Sequence, residues 1–500
     1  MSRMKRFILL FLFAYASTTI IFLSLVEENR NYIGKIGWGD VSPSIPSGVR
    51  RLRDSAASQI LSHPPRTTQI TRRNKRVRNK SRPGNDSGQS KYKYGSPRNK
   101  FGISSPVMYS CKDDAKYRAR LDVVYVKLTK NIALYSAYYD AREDIPYIRI
   151  IASVARHAKN STLLWCHFDP EGVDTNISLV TQVTYYQMCE NHNRDIGGWI
   201  ISCQVPRWYV DKGRSPCAVS VSLSPTESIT NSAQMSILTT EKSAQEAQVD
   251  FAVCVPPLFG KIRKDEIVQF VELTRLLGAN HFVFYVYDVK PDVKEVLKYY
   301  ESMGIATILK WAIPSRNVRS IWYYGQSLAI NDCLYRHMAT VQYLIFNDVD
   351  EFLIPHAPDT RTWRDIVAAH HMFTNTCAMT FKSTFFDLAF RYNLDFAVRN
   401  VSVLDITTRA VFYSDFRNKV LVEPSKVFEM GIHHVSRPWP DAANYSVVNV
   451  SPEKAYIHHY RPCKTFSMNC FQGTIDTTLV DKYGEEFFIK YNRTMNTTPH

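Results

Sequence analysis

The segment FNDVDEF, residues 346 to 352, closes the apolar run Tyr343, Leu344, Ile345 and Phe346 with Asp348, Asp350 and Glu351, three carboxylates in four positions. In an extended chain, residues two apart point to the same side. Asp348 and Asp350 can therefore face one hard cation that takes oxygen ligands, Mn²⁺ or Mg²⁺. Such an ion would complete its shell with a diphosphate and water, and there it would offset the charge on a departing nucleoside diphosphate. The tripeptide alone is weak, because a solvated strand end could carry the same residues. Its setting adds weight: an apolar strand precedes it and an alternating fold surrounds it.

That fold is readable from residue 251. FAVCVPPLFG is a buried strand ending at a turn, and KDEIVQFVELTRLLGAN places Ile267, Phe270, Val271 and Leu277 on one helical face closed by Gly278. HFVFYVYD is a second strand. Pro291 opens the next helix, with Val293, Val296, Leu297 and Tyr300 at helical spacing and Gly304 ending it. IATILKWAI makes a third strand, IWYYGQSLAINDCLYRHMA a helix, and VQYLIFNDVDEF a fourth strand. This order predicts an α/β fold: a mostly parallel sheet with helices on both faces. Ligands of such sheets bind beyond the carboxyl ends of the strands, where Asp348 and Asp350 sit.

The 500 residues divide further toward the N-terminus. Phe7 to Val26 is a 20-residue run without a charge, preceded by Arg3, Lys5 and Arg6 and followed by Glu27 and Glu28. Its length suits a membrane span and its flanks leave residues 1–6 cytosolic, a type II anchor. A cleaved signal peptide ending at Ala14-Tyr15-Ala16 is the rival reading. Both send the chain into the secretory pathway, where its ten cysteines can form disulfides. Asn79, Asn85, Asn160, Asn176, Asn400, Asn444, Asn449, Asn492 and Asn496 all stand in N-x-S/T acceptor patterns.

Residues 27–105 read as a basic, disordered stem, poor in large apolar side chains. Its densest stretch, TRRNKRVRNK, is a solvated polybasic run or a convertase-type cleavage site near Arg76. Residues 106–248 read as a separate small β-rich domain, with LDVVYVKL, IALYSAYYD and YIRIIASVARH as strands and the polar 220–248 as a linker. Residues 249–500 read as the α/β domain that carries Asp348 and Asp350, the candidate catalytic domain.

Charge narrows the function classes. The formal net charge is +16, but residues 1–100 carry 20 Lys+Arg against 5 Asp+Glu, leaving 42 against 41 for the rest. The folded part is nearly neutral and lacks the footprint of a nucleic-acid binder. No G-x-G-x-x-G, P-loop, G-x-S-x-G or C-x-x-C occurs, so dinucleotide redox, NTPase and hydrolase chemistries lack their fingerprints.

CVPPLFG, YYGQSLAINDCLYRH, FNDVDEFLIP, NKVLVEPSKVFEMGIHHV and IHHYR, with ALYSAYYDAR upstream, resemble the signature blocks of glycosyltransferase family 92 over roughly residues 130 to 465. The resemblance implies a Golgi type II membrane enzyme with a GT-A-like nucleotide-sugar-binding fold and a lumenal catalytic domain. It also implies transfer of a hexose, galactose above all, from a UDP-sugar with inversion to a glycan or glycoprotein acceptor such as fucose on N-glycan cores. By the same analogy Asp350 is the direct metal ligand and Asp348 contacts the ribose or the metal through water. A third ligand comes from a distant histidine: His459 is preferred over His458, with His433 and His434 as the competing pair. Asp288 is placed to bind uridine, although an Asp before Lys290-Pro291 also suits a turn. Glu351 supports the metal site from behind.

Inversion needs a base for the acceptor hydroxyl. Glu429 and Asp387, each a lone acid in an apolar context, are the candidates, and each could equally be a buried ion-pair partner. A catalytically silent lumenal protein that binds glycans through Trp322, Tyr323 and Tyr324 is the alternative function.

Overall fold

The computed structural model describes residues 125–158, 163–168, 179–226, 233–239, 249–315, 317–370, 375–387, 401–440, 444–462 and 473–498. The anchor and stem expected at residues 7–26 and 27–105 lie outside these residues. Among the described residues no helix is long and apolar enough to cross a membrane.

The first part of the described chain builds a nine-stranded sheet around Ile132–Asp140 (β1), Tyr147–Ala155 (β2) and Ile196–Gln204 (β3), with β1 antiparallel to β2 and β2 to β3. Ala233–Thr239 (β4) joins the free side of β1 in parallel. The stretch expected to be a linker thus contains a strand. Ala233, Met235 and Ile237 are buried and alternate with Gln234 and Ser236, the period-two pattern of a half-buried strand; the polar composition of the wider stretch hid it. Cys166 and Cys203 form a disulfide within this sheet.

The second sheet begins with Val249–Phe259 (β5), His281–Asp288 (β6), Ala306–Lys310 (β7) and Val341–Phe346 (β8), linked by Lys264–Leu276 (α1), Pro291–Ser302 (α2) and Gln326–His337 (α3). These four strands are parallel, in the order β7-β6-β5-β8. α1 buries Ile267, Phe270 and Val271; α2 starts on Pro291 and buries Val293, Val296, Leu297 and Tyr300. Each such side chain contributes roughly 1.5–3 kcal/mol. Gly278 and Gly304 follow these helices at φ +116° and +73°, backbone that glycine adopts without a Cβ clash.

Beyond β8 the expected parallel order stops, and the sheet is mixed. Ser414–Val422 (β11) lies antiparallel to β8, and Thr376–Phe386 (β10) antiparallel to β11. Ala455–Tyr460 (β12) runs parallel to β10, and Glu351–Pro355 (β9) antiparallel to β12. Among the described residues past Phe346 strands and turns predominate, and the α-helices between these strands are the short Trp363–Ala369 and Ser402–Asp405. Thr478–Thr497 (α4) packs against α1.

The two sheets do not form separate units. α3 has every residue from Gln326 to Tyr335 buried because it touches strands of both sheets. One apolar cluster mixes Tyr135, Tyr138 and Ile200 with Cys254, Leu328 and Leu344. Asp332 on α3 accepts hydrogen bonds from Ser136 Oγ, Tyr138 OH (2.6 Å) and Tyr285 OH (2.6 Å), and pairs with Arg336. Asp140 at the end of β1 pairs with Arg142 (2.8 Å) and Arg149 (3.0 Å), and the Arg142 guanidinium donates to Val427 O at 2.7 Å. A disulfide between Cys254 and Cys333 ties α3 to β5.

Candidate active site

β8 stops at Phe346, and the chain turns through residues 347–350 before β9 begins at Glu351. Asp348 N–H donates to Glu351 Oε2 (3.0 Å), and Glu351 N–H donates back to Asp348 O (3.1 Å). Asp348 and Asp350 therefore share a side because of this turn, not because of an extended chain. Their side chains are 39% and 38% exposed, against 1% for Glu351.

Glu351 is held by Lys419, whose Nζ reaches from β11 to 2.6 Å from Glu351 Oε2 and 3.5 Å from Asp348 Oδ2. Burial favours the neutral form of both groups, but their mutual attraction prevails. Lys419 is held above the ordinary lysine range and Glu351 below the ordinary glutamate range. The pair neutralises itself beneath the two exposed aspartates.

His459 is the register partner of Glu351 across β9 and β12. Its ring is buried, with Nε2 3.4 Å from Asp350 Oδ2 and Nδ1 3.4 Å from Glu351 Oε1. Neither nitrogen makes a hydrogen bond. A buried imidazole with an unsatisfied nitrogen directed at a half-exposed carboxylate fits a divalent cation shared between them, and a carboxylate behind the other nitrogen is the usual support for a ligating histidine.

His458 points the other way, as alternation along a strand requires. Its Nε2 lies 2.8 Å from His356 Nε2 and 3.7 Å from Asp476 Oδ2. Among the described residues these three form a group with metal-ligand spacing. Tyr456 OH and Arg409 also engage Asp476, so its charge already has partners. Burial keeps His458 neutral and lowers His356 to about 4.

Asp348 and Asp350 line a cleft of about 450 Å³ together with Phe259, Tyr323, Tyr460 and Arg461. Tyr323 and Tyr324 both have left-handed backbone, φ +42° and +56°, strain that persists only where the surroundings enforce it. The Tyr324 ring lies 3.9 Å from that of Phe259, and its carbonyl accepts from Trp311 Nε1 at 2.8 Å. Tyr323 stays half exposed in the cleft wall.

The remaining candidates scatter. Asp288 ends β6, exposed, in register with Phe259 at the edge of the cleft. Asp387 is buried immediately after β10, whose last pair with β12 is Phe386 with Tyr460. Glu429 is also buried, but Tyr186 OH donates to its Oε2 (2.7 Å) and Cys189 N–H to its Oε1 (2.8 Å); it does not line the cleft. His433 Nδ1 is 2.9 Å from Asn418 O, and His434 Nε2 is 3.4 Å from Ser436 Oγ. Sequence reasoning missed Lys419, although a lone lysine beside the apolar run VLV was a visible signal.

Residues 249–498 match the model of glycosyltransferase family 92. The chain is 29% identical over 290 residues to a beta-1,4-galactosyltransferase of Caenorhabditis elegans, covering 57% of this chain and 65% of the relative. It is 28% identical over 131 residues to a galactan beta-1,4-galactosyltransferase of Arabidopsis thaliana, covering 25% and 26%. The chain thus spans less than two thirds of the relatives it matches. A solved glucosyl-3-phosphoglycerate synthase of Mycobacterium tuberculosis, in complex with Mn²⁺, UDP and phosphoglyceric acid, aligns with 50% of this chain and 80% of its own at 10% identity and TM-score 0.24. A likeness that low carries no argument about fold or ligand.

Proposed function

Because the chain belongs to glycosyltransferase family 92, we propose that it transfers a hexose, galactose first, from a UDP-sugar to a glycan hydroxyl in a metal-dependent, inverting reaction on a GT-A-like fold. The observation that carries this reading is the meeting at one cleft of Asp348, Asp350 and a buried His459 whose ring nitrogens lack hydrogen bonds. Asp350 and His459 would hold Mn²⁺ or Mg²⁺, with Asp348 at the ion's water shell or the ribose. When bound, the ion stabilises negative charge on the diphosphate.

The protein's own groups do the rest. Glu351, fixed by Lys419, orients His459 from behind. Asp288 and Phe259, neighbours across β5 and β6, suit the nucleoside end. Of the two candidate bases, Glu429 is held by Tyr186 OH and Cys189 N–H away from the cleft, while Asp387 follows the β10 end that pairs with Tyr460, a residue of the cleft wall, so Asp387 is taken as the group that accepts the acceptor proton. The acceptor class is a glycan, with fucose of N-glycan cores the first to try, and the setting is the Golgi lumen behind a type II anchor.

The test is to incubate the purified full chain with Mn²⁺ and a panel of UDP-sugars, with and without glycan acceptors, and to measure UDP release and product. Metal-dependent, acceptor-stimulated release from UDP-galactose is expected. No release from any UDP-sugar, with glycan binding retained, would replace the enzyme with a silent binding protein that uses Tyr323.

A further inference from the structure

We propose that Arg461 is the protein's own cation for the leaving diphosphate, binding its phosphate oxygens in the cleft that Asp348 and Asp350 also line. This rests on the transferase reading and adds to it a catalytic residue that touches the substrate.

Three basic side chains line the cleft: Lys261, Arg263 and Arg461. Arg263 is occupied, with Asp265 at 2.8 Å and Glu266 at 3.3 Å. Lys261 is exposed at the rim. Arg461 differs from both. It lies two residues beyond His459 at the end of β12, with its N–H donating to His459 O at 3.1 Å, so its place is fixed by the same strand that presents the histidine. It is only partly exposed, and its guanidinium has neither an ion pair nor a hydrogen bond with any described residue.

Charge balance gives this arginine a task. Lys419 and Glu351 cancel one another. A divalent ion would be matched by Asp348 and Asp350, which leaves the two negative charges of a UDP-sugar diphosphate without a counter-charge from those groups. During transfer the bond from the anomeric carbon to the β-phosphate oxygen breaks with its electron pair on that oxygen. The acceptor oxygen bonds to the same carbon, and its proton passes to the carboxylate base. Negative charge on the diphosphate therefore rises as the sugar leaves. A permanently charged, forked guanidinium suits phosphate oxygens better than an ammonium does.

The test compares wild type, Arg461→Ala and Arg461→Lys as full chains with Mn²⁺, titrating UDP, UMP and uridine by calorimetry and checking each fold by thermal unfolding. Arg461→Ala is expected to weaken UDP binding on the order of 10- to 100-fold, UMP less, and uridine not at all. Arg461→Lys should fall between wild type and Ala for UDP. UDP affinity within twofold of wild type for Arg461→Ala would overturn the assignment, as would parallel loss of uridine, which signals a damaged site. Wild type that binds no UDP would instead remove the transferase reading, and this inference with it.

Discussion

Glu351 and His459 face each other across antiparallel strands, with Glu351 Oε1 3.4 Å from His459 Nδ1, so the carboxylate stands behind the ring while Nε2 faces Asp350. Loss of a carboxylate in that position typically lowers metal affinity 10- to 100-fold. Glu351→Gln should therefore raise the Mn²⁺ concentration needed for half-maximal UDP release by about that factor, and His459→Ala by at least as much. Direct Mn²⁺ binding followed by electron paramagnetic resonance checks both. Unchanged Mn²⁺ affinity in a folded His459→Ala protein would move the third ligand elsewhere.

On the proposed reading the two aspartates should separate by role. Asp350→Asn keeps the shape of the turn but removes a full charge beside His459, and losing one electrostatic stabiliser of a reacting group costs on the order of 100-fold in turnover. Asp348→Asn should raise KM for the UDP-sugar more than it lowers kcat if its contact is with ribose or metal-bound water. Both side chains are more than a third exposed, so neither substitution should shift the thermal midpoint much. Near-normal kcat in Asp350→Asn would mean that the three carboxylates only close a turn.

Asp140 gives a pH prediction remote from the metal site. Burial would raise its pKa, but the charged hydrogen bonds from Arg142 and Arg149 outweigh burial and hold it below the ordinary aspartate value. A carboxyl with a depressed folded pKa contributes stability that is present above its unfolded pKa and fades as pH falls through the folded one. Wild-type stability should therefore drop on acidification below the ordinary aspartate range, and Asp140→Asn should flatten that part of the profile. At neutral pH the variant leaves the partly buried Arg142 without a carboxylate and the buried Arg149 with Glu143 alone, and the loss should approach that of a broken buried pair, about 3–5 kcal/mol. Chemical denaturation across the acid range measures both, and a slope as steep as wild type in Asp140→Asn would assign the acid sensitivity to other carboxylates.

What the sequence made legible follows from range. Helical spacing in α1 and α2 and the apolar strand up to Phe346 are local patterns, and they stand where the residues put them; residues 347–350, expected to continue that strand, turn instead. The split of His458 from His459 was also implicit, since neighbours on a strand face opposite ways. Less legible was everything that depends on two distant segments meeting. Lys419 beneath Glu351 is set by β11 joining the sheet. β4 was lost because its three apolar residues sit in a Ser/Thr-rich stretch. The shared core around α3 was hidden because a helix buried on all sides against two sheets carries Asn331 and Asp332 within it, and polar residues there read as a solvent face until Ser136, Tyr138 and Tyr285 are seen to satisfy the aspartate.

The choice of base can be decided by two substitutions that differ in what they disturb. Glu429 accepts from Tyr186 OH and Cys189 N–H, which join the first sheet to the strand Val427–Met430. Glu429→Gln should therefore lower stability by about 1–3 kcal/mol, the range for weakening hydrogen bonds to a buried charge, while kcat per folded molecule stays within a few-fold of wild type. If Asp387 is the proton acceptor, Asp387→Asn should lower kcat by about 100- to 10,000-fold, the span for losing general-base catalysis, with UDP-sugar binding retained. Raising pH should not rescue it, because a carboxamide does not accept a proton in the working range. Side-by-side measurement of kcat, UDP affinity and thermal midpoint separates the cases. Full activity in Asp387→Asn together with a collapse of kcat in well-folded Glu429→Gln would reverse the assignment and require the Glu429 carboxylate to leave Tyr186 and enter the cleft during turnover.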